Sequence, residues 1–247
     1  MNKNIDYLLE HRSIRSWTDE RIDDGLVEKL LEVANRTSTS NGMQNASIIR
    51  VKDPEKRQAL ARLANQKYLA TAPELLIFIV DNFRNTRIME EKKADKIYAH
   101  DADKFFQGWT DACLMAQNIS AAAEMSGLGI VYFGSILNDC KEVIKILNLP
   151  EYTFPVVGLG IGYPNQDPAL KPRMDISKKV FIDEYEKKDS YLEELADYDK
   201  VMKTYYDLRD PSRALDSFTK QVADKNSIKI AKRDEIFEAI KEQGFDF

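Results

Sequence analysis

An apolar run over residues 154–161 carries glycines at 158 and 160, adds a third at 162, and then breaks at Tyr163-Pro164. No other segment constrains the fold as much. Gly158-Leu159-Gly160-Ile161-Gly162 invites a dinucleotide-binding reading, but that fingerprint needs a helix directly after the glycines and an acidic residue further on. A Tyr-Pro turn follows here instead. The run therefore reads as a buried strand whose glycines let its neighbours pack closely within a sheet.

The rest of the chain is consistent with that strand. Residues 19–36 predict an amphipathic helix with Leu26, Val27, Leu30, Leu31 and Ala34 at helical spacing, ended by the polar run 37–42. Strands are expected at 47–51, 75–80 and 130–133, with a short one at 180–183. Helices are expected at 54–64 and 139–147. Residues 106–126 form the clearest helix, apolar on most sides, which marks a central, buried position. The charged, poorly periodic stretch 82–104 reads as a surface lid or a solvated connection. A helix from 191 ends near Arg209, before Asp210-Pro211, because proline disfavours helix in the residue before it. A last helix spans 233–243. Helices and strands alternate irregularly, which favours α+β over a βαβ repeat. The organisation expected is one domain over 1–247, with 190–247 as a helical C-terminal excursion.

Composition narrows the function classes. A chain of 247 residues with 43% hydrophobic content can build one substantial core or two small ones. Its net charge of −5 argues against a general nucleic-acid binder. Cys113 and Cys140 are too few for a disulfide scaffold. Cys113, in an apolar helical stretch, reads as a packed thiol. Cys140, near a helix start, sits where a thiolate would be favoured. No run is long and apolar enough to span a bilayer, and Met1 to Asp6 lack a signal-peptide core. The expectation is a soluble, cytoplasmic protein. Its two histidines, His11 and His100, form no metal-ligand spacing.

Two basic clusters stand out against the acidic whole. His11-Arg12-Ser13-Ile14-Arg15 opens the chain, and Lys171-Pro172-Arg173 follows the glycine strand. Arginine forks match phosphate oxygens, and a proline fixes the backbone between two cations. Together they suggest one pocket for a phosphorylated ligand. A third cluster joins Lys203, Arg209 and Arg213 to Tyr205 and Tyr206.

These clusters, with Thr18-Asp19-Glu20, Asn45-Ala46-Ser47-Ile48-Ile49-Arg50-Val51 and Val131-Tyr132-Phe133-Gly134, carry a resemblance in order and spacing over nearly the whole length. The chain resembles the FMN-containing family of NADPH-dependent flavin reductases and oxygen-insensitive nitroreductases. The resemblance implies an antiparallel sheet flanked by helices, and a homodimer with FMN at its interface. It implies that His11, Arg12, Ser13 and Arg15 line the FMN site, with Ser13 on the phosphate and Arg15 near the N1/C2 carbonyl edge. Lys171 and Arg173 complete the phosphate grip. Thr39, where serine is common, reaches the flavin of the neighbouring subunit. Gln66, Lys67 and Tyr68 lie against the ring or ribityl chain, with Tyr68 replacing an expected histidine. Tyr132, Phe133, Gly134 and Ser135 bring backbone amides to flavin N5 and O4, Ser135 replacing a glycine. Arg209, then Arg213, would hold the 2′-phosphate of NADPH.

The implied reaction is ping-pong. Hydride passes from NADPH to flavin N5 and then to a small-molecule acceptor, such as a nitroaromatic, a quinone, an azo dye or free flavin. No dedicated catalytic acid or base is evident. A flavin-binding sensor or store, and a dedicated flavin reductase serving a monooxygenase, remain alternatives.

Overall fold

The computed structural model describes residues 3–246; Met1, Asn2 and Phe247, the outermost residues of the stretches discussed above, lie outside them. The chain divides into two compact units, Met1–Gln166 with Ile230–Phe247, and Asp167–Lys229.

The first unit holds helices α1 (Lys3–Leu9), α2 (Asp24–Asn35), α3 (Pro54–Ala64), α4 (Tyr68–Thr71), α5 (Phe83–Glu91), α6 (Ala102–Met125) and α7 (Cys140–Leu147). Its strands are β1 (Ala46–Arg50), β2 (Glu74–Asp81), β3 (Gly129–Phe133) and β4 (Thr153–Gly162). The second unit contributes α8 (Tyr191–Glu194), α9 (Ala196–Met202) and α10 (Phe218–Asn226), and α11 (Ile236–Glu242) returns to the first unit. The sheet order is β1-β2-β4-β3, every pair antiparallel. The α+β expectation holds.

β2 and β4 are central and buried along nearly their whole length. Their register slips between Phe78 and Ile79, opposite Val157 and Pro155. Val156 is the extra residue there, beside a proline that has no N–H for the ladder. The glycines of β4 do what the sequence suggested. A Cβ at Gly160 would stand 2.9 Å from the Phe133 ring, and one at Gly162 would stand 2.5 Å from Pro73. No helix follows β4 directly.

Several boundaries move for physical reasons. α2 starts at Asp24 rather than near 19, because the Asp23 carboxylate caps it by accepting from Leu26 N and Ile22 is already buried in the core. Within the charged stretch 82–104, residues 83–91 are α5, whose first turn is held by Asp81 accepting from Arg84 N. Residues 180–183 form no strand. The N–H of Val180 and of Glu184 donate locally, to Ile176 O and Ile182 O. The helix expected over 191–209 is broken at Leu195 and ends at Met202. Beyond it the chain turns back, with Leu215 N donating to Tyr205 O.

Both cysteine readings are overturned. Cys113 is exposed, on the outer side of α6. Cys140 is buried, and burial pushes its thiol up to about 11, so thiolate is disfavoured. Iodoacetamide at pH 8 is therefore expected to leave Cys140 unmodified in the folded protein and to label it once the protein is unfolded in urea. Mass spectrometry of the labelled peptides reads this directly; equal labelling in the two states contradicts it.

Candidate active site

The opening basic segment is laid along the edge of the sheet. Ile14 N donates to Ile130 O at 2.8 Å, and Ser13 bridges Ile130 in parallel. Trp17 Nε1 donates to Gly129 O, Thr18 N to Tyr163 O, and Asn165 N to Ser16 O. Only glycine permits this approach at position 129, where a Cβ would fall 2.6 Å from Ile14 Cγ1. Ile14 and Trp17 are buried, which leaves His11, Arg12, Ser13 and Arg15 half-buried beside β3. His11 Nδ1 meets Glu124 Oε1 at 2.6 Å. Arg12 donates to Glu10 O, while its Nε is buried without a hydrogen-bond partner among the described residues. A buried donor left in this state carries a desolvation cost that an anionic or carbonyl ligand would offset.

The far end of β3 gathers a second group. Ser135 Oγ donates to Gln66 Oε1 at 2.6 Å, and the Tyr68 ring lies 5.7 Å from the Phe133 ring. Gly134 is exposed, with open space where a Cβ would be. Lys67 is exposed. Two residues point elsewhere. Phe133 is wholly buried in the core. The Tyr132 hydroxyl donates to Ala116 O and accepts from Ser120 Oγ on α6, and burial raises its pKa. Any contact these two make with a ligand is left to their backbone. Arg233, which the sequence reading passed over, donates to Gly134 O at 3.4 Å and to Asn138 Oδ1 at 3.2 Å. One five-residue strand, roughly 13 Å long, thus carries a guanidinium-rich group at one end and an amide, an aromatic ring and an open glycine turn at the other.

Thr39 belongs to a different cluster. The buried Asp111 of α6 accepts from Ser40 N at 2.8 Å and from Asn45 N at 3.0 Å, gripping the polar loop at both ends. Arg84 donates to Gln44 O, and Asn85 Nδ2 donates to Met43 O. α5 therefore holds the carbonyls of the loop while α6 holds its N–H groups. Gly108 makes the fit possible, since a Cβ there would stand 2.6 Å from Asn45 O. Asp111 was also passed over. A carboxylate inside a helix apolar on most sides was the available signal.

In the second unit, Lys171 is half-buried, and burial, then the charge of Arg209, pulls its pKa down. Lys171 and Arg209 therefore share one electrostatic neighbourhood, although the sequence reading gave them to different ligands. Arg209 makes a two-pronged pair with the buried Asp207, at 3.0 and 2.7 Å. Such a pair fixes the guanidinium plane. Arg213 pairs with Asp210 at 3.2 Å, and Arg173 is exposed.

The Nitroreductase family model matches residues 8–163, and the model of the family's C-terminal domain matches residues 171–247. The chain belongs to the nitroreductase family. It is similar to the FMN reductase (NADPH) of Bacillus subtilis, at 34% identity over 100% of this chain and 99% of that protein. It is similar to the oxygen-insensitive NADPH nitroreductase of Salmonella typhimurium, at 34% identity over 99% of each. The solved structure of B. megaterium NfrA1 superposes with a TM-score of 0.92 at 34% identity, covering 100% of both chains. The groups along β3 suit the FMN that the resemblance implies. Arg12 Nε, buried without a hydrogen-bond partner among the described residues, the half-buried Ser13 and the exposed Gly134 turn fit a ligand with an anionic end and a polar ring edge.

Proposed function

We propose that this nitroreductase-family protein is an FMN-dependent NADPH oxidoreductase that reduces nitroaromatics, quinones or free flavin. The observation that carries the reading is the β3 strip, which fixes cations and an open turn on one short, rigid strand. The names of the relatives, an FMN reductase and an oxygen-insensitive nitroreductase both using NADPH, point the same way. FMN held there would supply the hydride-transfer chemistry between NADPH and an acceptor bound in turn, for which ping-pong kinetics would be expected. The chain supplies position and charge. Arg12, Ser13 and Arg15 hold the anionic ligand at the start of β3, and positive charge there stabilises it further when reduced. Gln66, Tyr68 and the Gly134-Ser135 turn orient it at the other end. Lys171 and Arg173 act as phosphate ligands in the second unit.

The working state is a homodimer. α6 leaves Phe106 and Leu114 exposed, an unusual cost for a central helix unless a second copy covers them. Thr39 serves the neighbouring subunit's site. Steady-state NADPH oxidation with free FMN, compared with a nitroaromatic, tests the acceptor range. Activity with free FMN alone would narrow the reading to a dedicated flavin reductase.

Arg209 is assigned to the 2′-phosphate of NADPH, its plane preset by Asp207. Arg209→Ala is expected to raise KM for NADPH about tenfold and leave KM for NADH within twofold, because one charge-assisted contact is lost. Equal changes for both nucleotides would remove Arg209 from that role.

A further inference from the structure

A cavity of about 340 Å³ lies in the first unit, between the polar loop, α5 and the segment leading into α6. Its volume falls within the range of small-molecule sites. Met43, Met89, Ile97 and Tyr98 give it apolar walls, and Asn45 and Asn82 give it two amides. Both amides are almost completely out of water, at 2% and 3% exposure. Each keeps one atom without a hydrogen-bond partner among the described residues, Nδ2 of Asn45 and Oδ1 of Asn82.

The surrounding bonds fix which atom of each amide is spare. Asn85 Nδ2 donates to Met43 O at 3.0 Å and to Asn45 Oδ1 at 2.6 Å, so the oxygen of Asn45 must face Asn85 and its NH2 group is the one left over. Asn82 Nδ2 reaches Ala99 O at 3.5 Å, which leaves its oxygen over. One spare donor and one spare acceptor therefore belong to residues that line a single, mainly apolar cavity, whose wall also carries Asp95 and Lys104. Both are already desolvated, and an unmade bond at such a group is costly.

We infer that this cavity is a second ligand site, for a small, mainly apolar molecule bearing a primary carboxamide. The carbonyl of such a ligand accepts from Asn45 Nδ2, and its NH2 group donates to Asn82 Oδ1. A carboxylate satisfies only the first bond and sets an anion against the Asn82 oxygen and the nearby Asp95, while Lys104 on the same wall is already paired with Asp103 at 3.0 Å. A purely apolar molecule fills the walls and leaves both amides unmet. The site is separate from the β3 strip, so the proposal does not depend on the flavin reading.

The probe is benzamide, titrated into the full-length protein with and without FMN and followed by the side-chain amide NMR signals of Asn45 and Asn82. The expected result is a saturable shift of both signals, with the same dissociation constant in the two preparations and at least tenfold weaker binding of benzoate. Met89→Trp, which fills the cavity, should weaken benzamide at least tenfold. Asn82→Leu, which removes the acceptor and keeps the size, should do the same while leaving toluene binding within twofold, and this variant serves if the first does not fold. Four outcomes overturn the proposal: no saturable shift, benzoate binding as tight as benzamide, binding that requires FMN, or benzamide affinity unchanged in both variants.

Discussion

Asp111→Ala is expected to lower the unfolding free energy by about 3 kcal/mol, read from urea denaturation at constant slope. The carboxylate accepts from Ser40 N and Asn45 N, and the Asn45 bond is buried. Alanine leaves both backbone donors without this acceptor, and an unmet buried N–H costs about 1–3 kcal/mol. Asp111→Asn keeps one acceptor oxygen but turns an NH2 group toward the other donor, so it should fall between wild type and alanine. The loss should also release the polar loop, because α5 holds only its carbonyls. A change below 0.5 kcal/mol for alanine would mean that water satisfies the loop without Asp111.

Gly129→Val is expected to weaken FMN retention at least tenfold and to lower stability by about 1–3 kcal/mol, the usual range for overpacking. The added atoms would occupy the space of Ile14, whose Cγ1, Cβ and Cγ2 all lie within 3 Å of an ideal Cβ. Ile14 is the buried peg of the basic segment, and its N–H bond to Ile130 is what holds Ser13 beside β3. Shifting it moves Arg12, Ser13 and Arg15 together. Gly127→Ala is the control, since open space surrounds a Cβ there but its φ of +78° disfavours alanine. It should cost stability with little loss of flavin. Flavin lost equally in both variants would mean that retention follows stability alone, and not the placement of the basic segment.

How legible each part was depended on whether its cause was local. α3 was read at its observed limits because Asp53 caps it, Pro54 starts it and Asn65 closes it in the left-handed region. The central strands were legible from apolar runs, and β4 from its glycines. α5 was not, since its face is mostly charged and Thr86 is its one residue buried in the structure. The 191–209 stripe looked continuous, but Asp207 is drawn into the interior of its unit to pair with Arg209, and the chain folds back there. No local pattern encodes that.

The candidate site divides the same way. Residues near one another in sequence, such as Arg12, Ser13 and Arg15, or Phe133, Gly134 and Ser135, were visible as motifs. Gln66 and Ser135 are 69 positions apart, and Arg233 and Gly134 are 99 apart, so only the fold brings them together. The structure also reassigned two side chains on physical grounds. The Tyr132 hydroxyl is committed to α6, and the thiol of Cys140 is kept protonated by burial.

The most direct measurement is the visible spectrum of FMN-reconstituted protein, kept anaerobic, before and after NADPH. The account predicts flavin bands retained through gel filtration that bleach on addition of NADPH and return when a nitroaromatic is added. Bands that stay unbleached would identify a flavin-binding protein without this turnover. No retained flavin would contradict the assignment of the β3 strip itself.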